Sequence, residues 1–359
     1  MMKDGKMRVL MVGPDRSVHG GISGVVNNYY DAGLDRMIDL CYIGTMVEGS
    51  KPKKLLQAGK AYLRFLIELP KYDIVHVNMA SDSSYYRKSV FIRTAKACRK
   101  KIVIHQHGGN FPEFYGKELS ARGRKQVKRV LSMGDAFLVL GTAWKDFFGA
   151  IIGREHIMIL PNAIHIPEPG DKQYGARKIL FLGRLCKEKG IGELLTVMPK
   201  LQKQCPGVRL YLGGIWEDQG LKTQALALRE CVTDLGWIDG AEKQRYLGEC
   251  DIFVLPSYFE GQPVSVLEAM AHACGIVTTK TGSIPDMIIE GETGLFAVSK
   301  DAKTLEECLL KLLEDPELCR ALGENARRKA KSEFSIENNI KQLLDIYKSI
   351  SCRGQHHEK

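Results

Sequence analysis

The sequence predicts an α/β chain made of two domains. Its 359 residues are too many for one ordinary core and suit two domains of about 150 to 200 residues each. Short apolar runs closed by Gly or Pro read as buried parallel strands. Met7–Gly13 is such a run near the start, and Lys178–Leu182 is another directly after a segment rich in Pro and Gly. The second domain is therefore expected to open as the first does.

The composition is that of a soluble globular protein, with 44% hydrophobic and 26% charged residues. No run of 18 apolar residues occurs, and the apolar segment of the first residues is too short for a signal peptide, so we expect a cytoplasmic protein. The ten cysteines include no C-x-x-C pair and no His at metal-ligand spacing. We expect mostly buried, free thiols.

Positive charge is concentrated in the first half. Residues 1–165 hold 26 Lys and Arg against 14 Asp and Glu, whereas residues 166–359 hold 26 against 28. The basic runs are 51–54, 93–101 and 122–129. A solvated helix face explains any one of them, but three together favour an anionic partner, either the cytoplasmic leaflet or a lipid-diphosphate acceptor. Peripheral membrane association is thus an expectation, while no pattern supports nucleic acid binding.

In the first half, Gly20 and Gly21 separate the first strand from a predicted helix over 22–34. They allow close approach of a ligand, although a flexible turn explains them equally well. Two further strands are predicted at Ile74–Val77 and Ile102–His105. Ligands of open α/β sheets bind beyond the carboxyl ends of strands, so His107 in its Gly-flanked loop is a candidate site residue. His76 and His105 lie within apolar strands and are expected in the core.

Strands at 136–140 and 157–160 complete the first domain, and the segment 165–175 reads as the linker. In the second domain the strand Lys178–Leu182 is followed by Gly183, Arg184 and, five residues later, Lys189. Arg184 can bind phosphate oxygens with two parallel hydrogen bonds, and Lys189 adds a compact charge at a helix start. A strand over 208–213 and a helix over 221–232 are expected next.

The most informative stretch is 251–275, which reads as strand, loop and helix. The apolar run Ile252–Leu255 is the strand, and Pro263 is expected as the first helical residue. Backbone N–H groups at that helix start are unpaired and carry a partial positive charge, so they can accept an anion. Glu260 lies on the loop and Glu268 on the helix. Taken alone, the pair could be two ordinary surface glutamates.

The rest of the chain predicts a strand over 275–278 and helices over 304–314, 318–333 and 335–350, before a polar tail. The motifs described above follow one another in the order found in glycosyltransferase family 4, the retaining nucleotide-sugar transferases. This chain resembles that family over roughly residues 8 to 350. The resemblance is carried by the Glu-x7-Glu block EGQPVSVLE, by the G-R-x4-K-G element at 183–190, and by the loops at 19–22, 107 and 161–162. Ala163, Ser283 and Asp286 depart slightly from the family pattern.

This resemblance implies the GT-B fold, with two Rossmann-like, doubly wound parallel-sheet domains facing across a cleft. It implies an acceptor-side domain at 1–165, a donor-binding domain at 166–335, and a final helix with tail at 336–359 that crosses back to the first domain. The implied catalytic residues are Glu260 and His107, and Gly20, Asn110 and Asn162 are implied at the acceptor or in the cleft. The implied donor-binding residues are Gly21, Arg184, Lys189, Ile238, Gly261, Gln262, Pro263, Val264 and Glu268.

No Asp-x-Asp occurs in the sequence. We therefore expect no metal and no cofactor: Arg184, Lys189 and the helix dipole would stabilise the departing diphosphate. The substrate implied is a nucleoside diphosphate sugar, most commonly a UDP-sugar, and the acceptor a saccharide or lipid-linked saccharide of a surface polysaccharide pathway. Two alternatives stay open: a nucleotide-sugar 2-epimerase of the same fold, and a non-catalytic protein that binds lipid-linked sugar.

Overall fold

The structure, a computed structural model, describes residues 6–168, 170 and 172–352. The described residues form two compact units, one comprising 6–165 with 336–352 and the other comprising the described part of 166–335. Residues 353–359 of the predicted polar tail and two residues of the predicted linker, Pro169 and Asp171, lie outside the described residues, whereas Ser351 and Cys352 continue the last helix.

The first unit is built on a six-stranded sheet in which every pairing is parallel, in the order β2-β1-β3-β4-β5-β6. Its strands are β1 (Arg8–Gly13), β2 (Asp39–Gly44), β3 (Ile74–Met79), β4 (Lys101–Gln106), β5 (Ala136–Val139) and β6 (Ile157–Ile159). Its first helices are α1 (Gly21–Asp31), α2 (Leu34–Met37), α3 (Lys51–Glu68), α4 (Asp82–Ala97), α5 (Phe111–Glu113), α6 (Ala121–Leu131) and α7 (Thr142–Ile152). A 3-10 turn at Leu69–Lys71 and a π-helical turn at Phe114–Glu118 complete the list.

The second unit repeats the plan, with a parallel sheet in the order β12-β11-β10-β7-β8-β9. Its strands are β7 (Lys178–Leu182), β8 (Arg209–Gly213), β9 (Val232–Gly236), β10 (Ile252–Leu255), β11 (Gly275–Thr279) and β12 (Leu295–Ala297). Its helices are α8 (Ile191–Gln204), α9 (Gln219–Ala227), α10 (Gly240–Glu249), α11 (Val264–Ala271), α12 (Ile284–Met287), α13 (Ala302–Glu314) and α14 (Pro316–Glu333).

These two sheets confirm the predicted α/β class. Their central strands are near-continuous apolar runs because helices cover both faces of a parallel sheet; β3 and β10 are buried at every position. All ten cysteines are free and six of them are buried, which confirms the expectation of mostly buried thiols. Within the described residues, no helix combines the length and apolar character needed to cross a bilayer.

The predicted helix over 221–232 is wrong at its end. Helix α9 stops at Ala227, and Val232 instead begins β9, where it pairs with Leu210 of β8. Val232 is β-branched and buried, and pairing at the sheet edge satisfies its backbone groups, so the tertiary environment overrides the helical pattern.

The last helix, α15 (Ile336–Cys352), belongs to the first unit. The hydroxyl of Tyr347 lies 2.6 Å from Nδ1 of His76 on β3, and the side-chain amide of Asn339 donates to the carbonyl of Pro161 over 2.6 Å. Both Tyr347 and His76 are fully buried. The helix is therefore fixed to the sheet of the first unit by polar contacts as well as by apolar packing.

His76 and His105 are core residues, as the sequence predicts. Burial, with a smaller contribution from His107, lowers the pKa of His76 to about 3, and burial lowers the pKa of His105 well below its usual value. Because the folded pKa lies below that of the unfolded chain, the unfolded state binds protons first as the pH falls. Each histidine should therefore lower the free energy of unfolding by about 1.4 kcal/mol per pH unit below about pH 6.5.

Between pH 7 and pH 5 the free energy of unfolding should fall by about 2 kcal/mol less in His76→Gln than in the native protein. We predict this because the variant lacks one buried group whose protonation favours the unfolded state. Hydrogen exchange of the β3 and β4 amides at both pH values reports the unfolding free energy of the first unit. The exposed His156→Gln is the matched control. An unchanged pH slope in His76→Gln would contradict the prediction, whatever its effect on stability at pH 7.

Candidate functional site

The candidate site of the second unit lies where the strand order reverses. The chain moves outward from β7 through β8 to β9, and in the opposite direction from β10 through β11 to β12. Loops that follow β7 and β10 therefore leave the same edge of the sheet, at the point where ligands of doubly wound sheets bind. The loop 183–190 carries Arg184 and Lys189, and the loop 256–263 carries Glu260.

These two loops are hydrogen-bonded to each other through Tyr258. Its backbone N–H donates to the carbonyl of Glu188 over 2.8 Å, and its hydroxyl donates to Glu193 Oε1 over 2.5 Å. Gly190 has a positive φ of 74°, and a Cβ there would lie 2.3 Å from the carbonyl oxygen of Pro256. Only glycine fits this contact, so the loops pack backbone against backbone.

The loop after β11 holds the Glu260 loop from its other side. The N–H of Ser283 donates to the carbonyl of Gly261 over 2.8 Å, and the hydroxyl of Thr279 donates to the carbonyl of Ser257 over 2.5 Å. Gly282 has a φ of 56°, and a Cβ there would lie 2.0 Å from the carbonyl oxygen of Glu260. The backbone at Glu260 is thus clamped between two neighbouring loops.

Lys189 and Glu260, both predicted from sequence, form an ion pair of 2.5 Å between Nζ and Oε1. Only 17% of the Lys189 side chain and 8% of the Glu260 side chain are exposed. Water screens such a pair poorly, so removal of one partner would leave the other charge buried and uncompensated. The pair joins the loop after β7 to the loop after β10.

Arg184 pairs with Glu217, at 3.0 Å between Nη1 and Oε2. Both side chains are largely exposed, so the pair contributes little to stability. A guanidinium has five N–H donors in a planar fork, and Glu217 contacts only Nη1. Donors at Nε and Nη2 remain for a second anionic partner. The sequence did not predict Glu217, which follows the end of β8.

Glu268 lies on α11 and pairs with Lys243 of α10, at 2.6 Å between Oε1 and Nζ. Both side chains are mostly shielded, and Lys243 was not predicted either. Glu268 is oriented by Lys243, and its second oxygen is left to accept other hydrogen bonds.

Ile238, predicted near the nucleotide base, is 6% exposed and packs beside the end of β8. A Cβ on Gly213 would lie 3.2 Å from its Cγ1.

The start of α11 is one residue later than predicted. Pro263 has φ −72° and ψ 117°, which is extended backbone, so it is the N-cap and Val264 is the first helical residue. Gly261, Gln262 and Pro263 are buried, and Val264 is half-buried. The N–H groups of Val266 and Leu267 donate to the carbonyl of Pro263 over 3.2 and 3.4 Å. The N–H groups of Val264 and Ser265 come before these bonds, at the positive end of the helix where the predicted anion would bind.

The first unit gathers some of its predicted residues after β4 and β6. Nε2 of His107 lies 2.9 Å from Oδ1 of Asn78, within hydrogen-bond distance. Burial lowers the pKa of His107 to about 3, partly offset by a hydrogen bond with Asn162. His107 is therefore a neutral imidazole. Asn110, three residues after His107, is the N-cap of α5.

Gly20 and Gly21 lie at the N-terminus of α1, where Gly21 begins the helix. A Cβ at either position would meet no protein atom within 4 Å. Neither glycine is therefore required by packing inside the unit, which leaves the backbone open to a ligand. The same helix is tied to the Asn162 loop, because the side chain of Asn28 donates to the carbonyl of Ala163 over 2.9 Å.

Among the described residues, no group of three or more His, Cys, Asp or Glu side chains is arranged to hold a metal ion.

Residues 165–329 match the family model described as glycosyl transferases group 1. The chain is similar to glycogen synthase from Mycobacterium tuberculosis, with 28% identity over 48% of this chain and 42% of that protein. It is also similar to the amylovoran biosynthesis glycosyltransferase AmsK from Erwinia amylovora, with 26% identity over 72% of this chain and 67% of that protein. The chain thus spans less than half the length of the first relative.

Among solved structures, HepE from Anabaena in complex with UDP and glucose has a TM-score of 0.75 to this chain. The two are 17% identical, and the match covers 96% of this chain and 100% of that one. At this identity the likeness concerns the fold, and it confirms the predicted GT-B class of two parallel-sheet domains.

The contact between Gly190 and Pro256 yields a test of the loop packing. We predict that Gly190→Ala destabilises the second unit by at least about 2 kcal/mol, since it adds both a strained φ and a clash with backbone. Gly192→Ala, two residues later in α8, is the control: its Cβ would meet only Leu221 at 3.7 Å. Chemical denaturation should show that control equal to or slightly more stable than the native protein. Equal stability of the two variants would refute the packing argument.

Proposed function

We propose that this chain is a retaining, metal-independent glycosyltransferase of the family 4 type, a proposal supported by the match of residues 165–329 to the model of glycosyl transferases group 1. It moves a sugar from a nucleoside diphosphate sugar to a hydroxyl of a saccharide or lipid-linked saccharide. The observation that carries this proposal is the meeting of Lys189, Glu260 and the start of α11 at the strand-order reversal of the second sheet.

Departure of the leaving group places negative charge on a nucleoside diphosphate. Three groups support stabilisation of that charge: the guanidinium of Arg184, the ammonium of Lys189, and the first N–H groups of α11. Glu217 and Glu260 each occupy only part of the donor capacity of their cations. Phosphate oxygens can therefore join these ion pairs rather than having to displace the carboxylates.

The two glutamates take different roles in this proposal. Glu268, held at one oxygen by Lys243, accepts hydrogen bonds from the ribose hydroxyls with the other. Glu260, held by Lys189, accepts from hydroxyls of the donor sugar near C3 and stabilises the oxocarbenium-like transition state. A retaining glycosidase would instead need two carboxylates about 5 Å apart across a single bond. The separate lysine partners of Glu260 and Glu268 support two distinct tasks.

His107 completes the proposed machinery as a neutral group. With a pKa of about 3 it carries no charge at neutral pH, so it serves as a hydrogen-bond partner of the donor sugar and not as an acid. The acceptor's proton passes to the departing phosphate, in a front-face reaction with retention. Gly20, Asn110 and Asn162 are proposed on the acceptor side and Gly21 beside the donor; the open space around the two glycines supports close approach of backbone to substrate.

UDP is the proposed nucleotide, supported by the UDP complex of HepE, and a surface polysaccharide pathway is supported by the name of AmsK. The basic first half supports an anionic acceptor or membrane surface, and with it peripheral attachment to the inner face of the membrane.

The 2-epimerase alternative would convert a nucleotide sugar without acceptor, and a non-catalytic binding protein would release no nucleotide at all. Product analysis with and without acceptor separates these activities.

We predict that UDP binds the purified protein and that Arg184→Ala and Glu268→Ala each weaken binding by about 1 to 3 kcal/mol, the value of a charged hydrogen bond. Titration calorimetry gives the Kd, and a thermal-shift panel with GDP and ADP identifies the preferred base. Glu306→Ala is the control, since Glu306 forms a comparable 3.0 Å ion pair with Lys200 away from these loops. Unchanged affinity in both site variants would remove the donor-site assignment.

We predict that EDTA leaves the transfer rate unchanged, because the fixed cations of the second unit take the place of a divalent ion. The measurement is nucleoside diphosphate release in the presence of acceptor, before and after chelation. Loss of activity on chelation, with recovery on addition of Mg²⁺ or Mn²⁺, would overturn the metal-independent mechanism while leaving the transferase proposal in place.

A further inference from the structure

Helix α3 exposes a row of large apolar side chains. Of the exposed large hydrophobic residues among the described part of the chain, five lie on this one helix: Leu55, Leu56, Leu63, Leu66 and Ile67. Leu55 is 76% exposed, Leu63 is 63% exposed and Ile67 is 67% exposed. We call these five residues the α3 apolar row. Single exposed leucines need no explanation, but a cluster on one helix marks an interaction surface.

The α3 apolar row is not the face by which the helix packs on its own unit. Ala61 and Phe65 are buried against the core, and Phe65 packs edge-to-face on Phe91 of α4. The hydroxyl of Tyr62 lies 2.9 Å from Oγ1 of Thr94, and the side chain of Gln57 donates to the carbonyl of Gly44 over 2.7 Å. The helix is thus already anchored, and its second apolar face is available for a partner.

Basic side chains lie beside the α3 apolar row at matching positions along the helix. Lys53, Lys60 and Arg64 each precede one of Leu56, Leu63 and Ile67 by three residues. Side chains three positions apart are neighbours on a helix, so the two rows are adjacent. Lys51 and Lys54 add charge at the start of the helix, and Glu68 is its only acidic residue. Within the described residues none of the four lysines forms an ion pair, whereas Glu68 pairs with Lys71.

An apolar row with a basic row beside it favours one kind of partner. A second copy of the helix would bring like charges together across a symmetric interface, which is unfavourable. An anionic lipid surface accepts both rows: leucines enter the boundary between headgroups and acyl chains, and lysines remain at the phosphates. We propose that α3 is the membrane-attachment helix of this protein and that it lies in the plane of an anionic bilayer.

The proposal deepens the membrane partner named in the proposed function, because it assigns that partner to one helix. Its physical basis is independent of catalysis: no residue of α3 belongs to the candidate site. Vesicle binding and UDP binding can therefore be measured separately on the same variants.

The test is flotation of the full chain with vesicles of phosphatidylcholine alone and with vesicles containing phosphatidylglycerol. We expect at least tenfold stronger binding to the anionic vesicles, weakened by an increase in NaCl from 0.1 to 0.5 M, since the charges at the surface are screened. The double variant Leu63→Gln with Ile67→Gln should lose at least tenfold in binding, and so should the triple variant Lys53→Glu, Lys60→Glu and Arg64→Glu.

Matched controls lie in the second unit. Leu226→Gln with Val298→Gln removes two exposed apolar side chains, and Lys203→Glu, Arg229→Glu and Lys331→Glu reverse three exposed charges. Both controls should bind vesicles as the native protein does, apart from a modest effect of net charge. All variants should keep the native Tm and the native affinity for UDP, because the substituted side chains are exposed and lie outside the site.

Equal binding to neutral and anionic vesicles, or equal losses in the α3 variants and in the controls, would overturn the proposal. So would a native dimer, measured by light scattering, that the Leu63→Gln and Ile67→Gln variant dissociates without any vesicle binding; α3 would then be an interface between copies. Vesicle binding as expected, without binding of UDP, GDP or ADP, would instead leave α3 assigned and refute the proposed function.

Discussion

The buried contact between Lys189 and Glu260 is the interaction on which the second unit's site depends. It joins the loop after β7 to the loop after β10, at the one place where the strand order of the sheet reverses. The backbone around it leaves little freedom, because Gly190 and Gly282 bring main chain against main chain on either side of the Glu260 loop. The position of the glutamate is thus set by the fold, and its charge is held by one lysine.

Pairing of cations with carboxylates solves a stability problem for such a site. Partly buried cations gathered to bind a diphosphate would repel one another and lose hydration. In this structure Lys189 and Lys243 each contact a glutamate, and the more exposed Arg184 does the same. The site is close to neutral in charge and still presents directed N–H donors. Binding of the proposed diphosphate would then cost less reorganisation, since the donors are already oriented.

The sequence predicted the positions of Arg184, Lys189, Glu260 and Glu268, because motif spacing on strand ends and a helix start determines where they lie. It did not predict Glu217 or Lys243, which reach their partners from 33 and 25 residues away through the tertiary fold. The prediction of a helix up to Val232 was wrong for a related reason, because pairing with β8 determines the conformation of that segment. The basic run at 51–54 was recognised, but exposure of the α3 leucines depends on which helix face meets the core.

The two halves of the chain use positive charge in different ways. The first half has an excess of cations and places several of them, without ion-pair partners among the described residues, on α3 beside exposed leucines. The second half has slightly more acidic than basic residues, so no general field attracts an anion to it. In the proposed function, the affinity of that unit for a diphosphate would come from short-range hydrogen bonds with fixed geometry. The proposed long-range attraction to an anionic surface would act on the first unit, where screening by salt would weaken it without affecting the paired site.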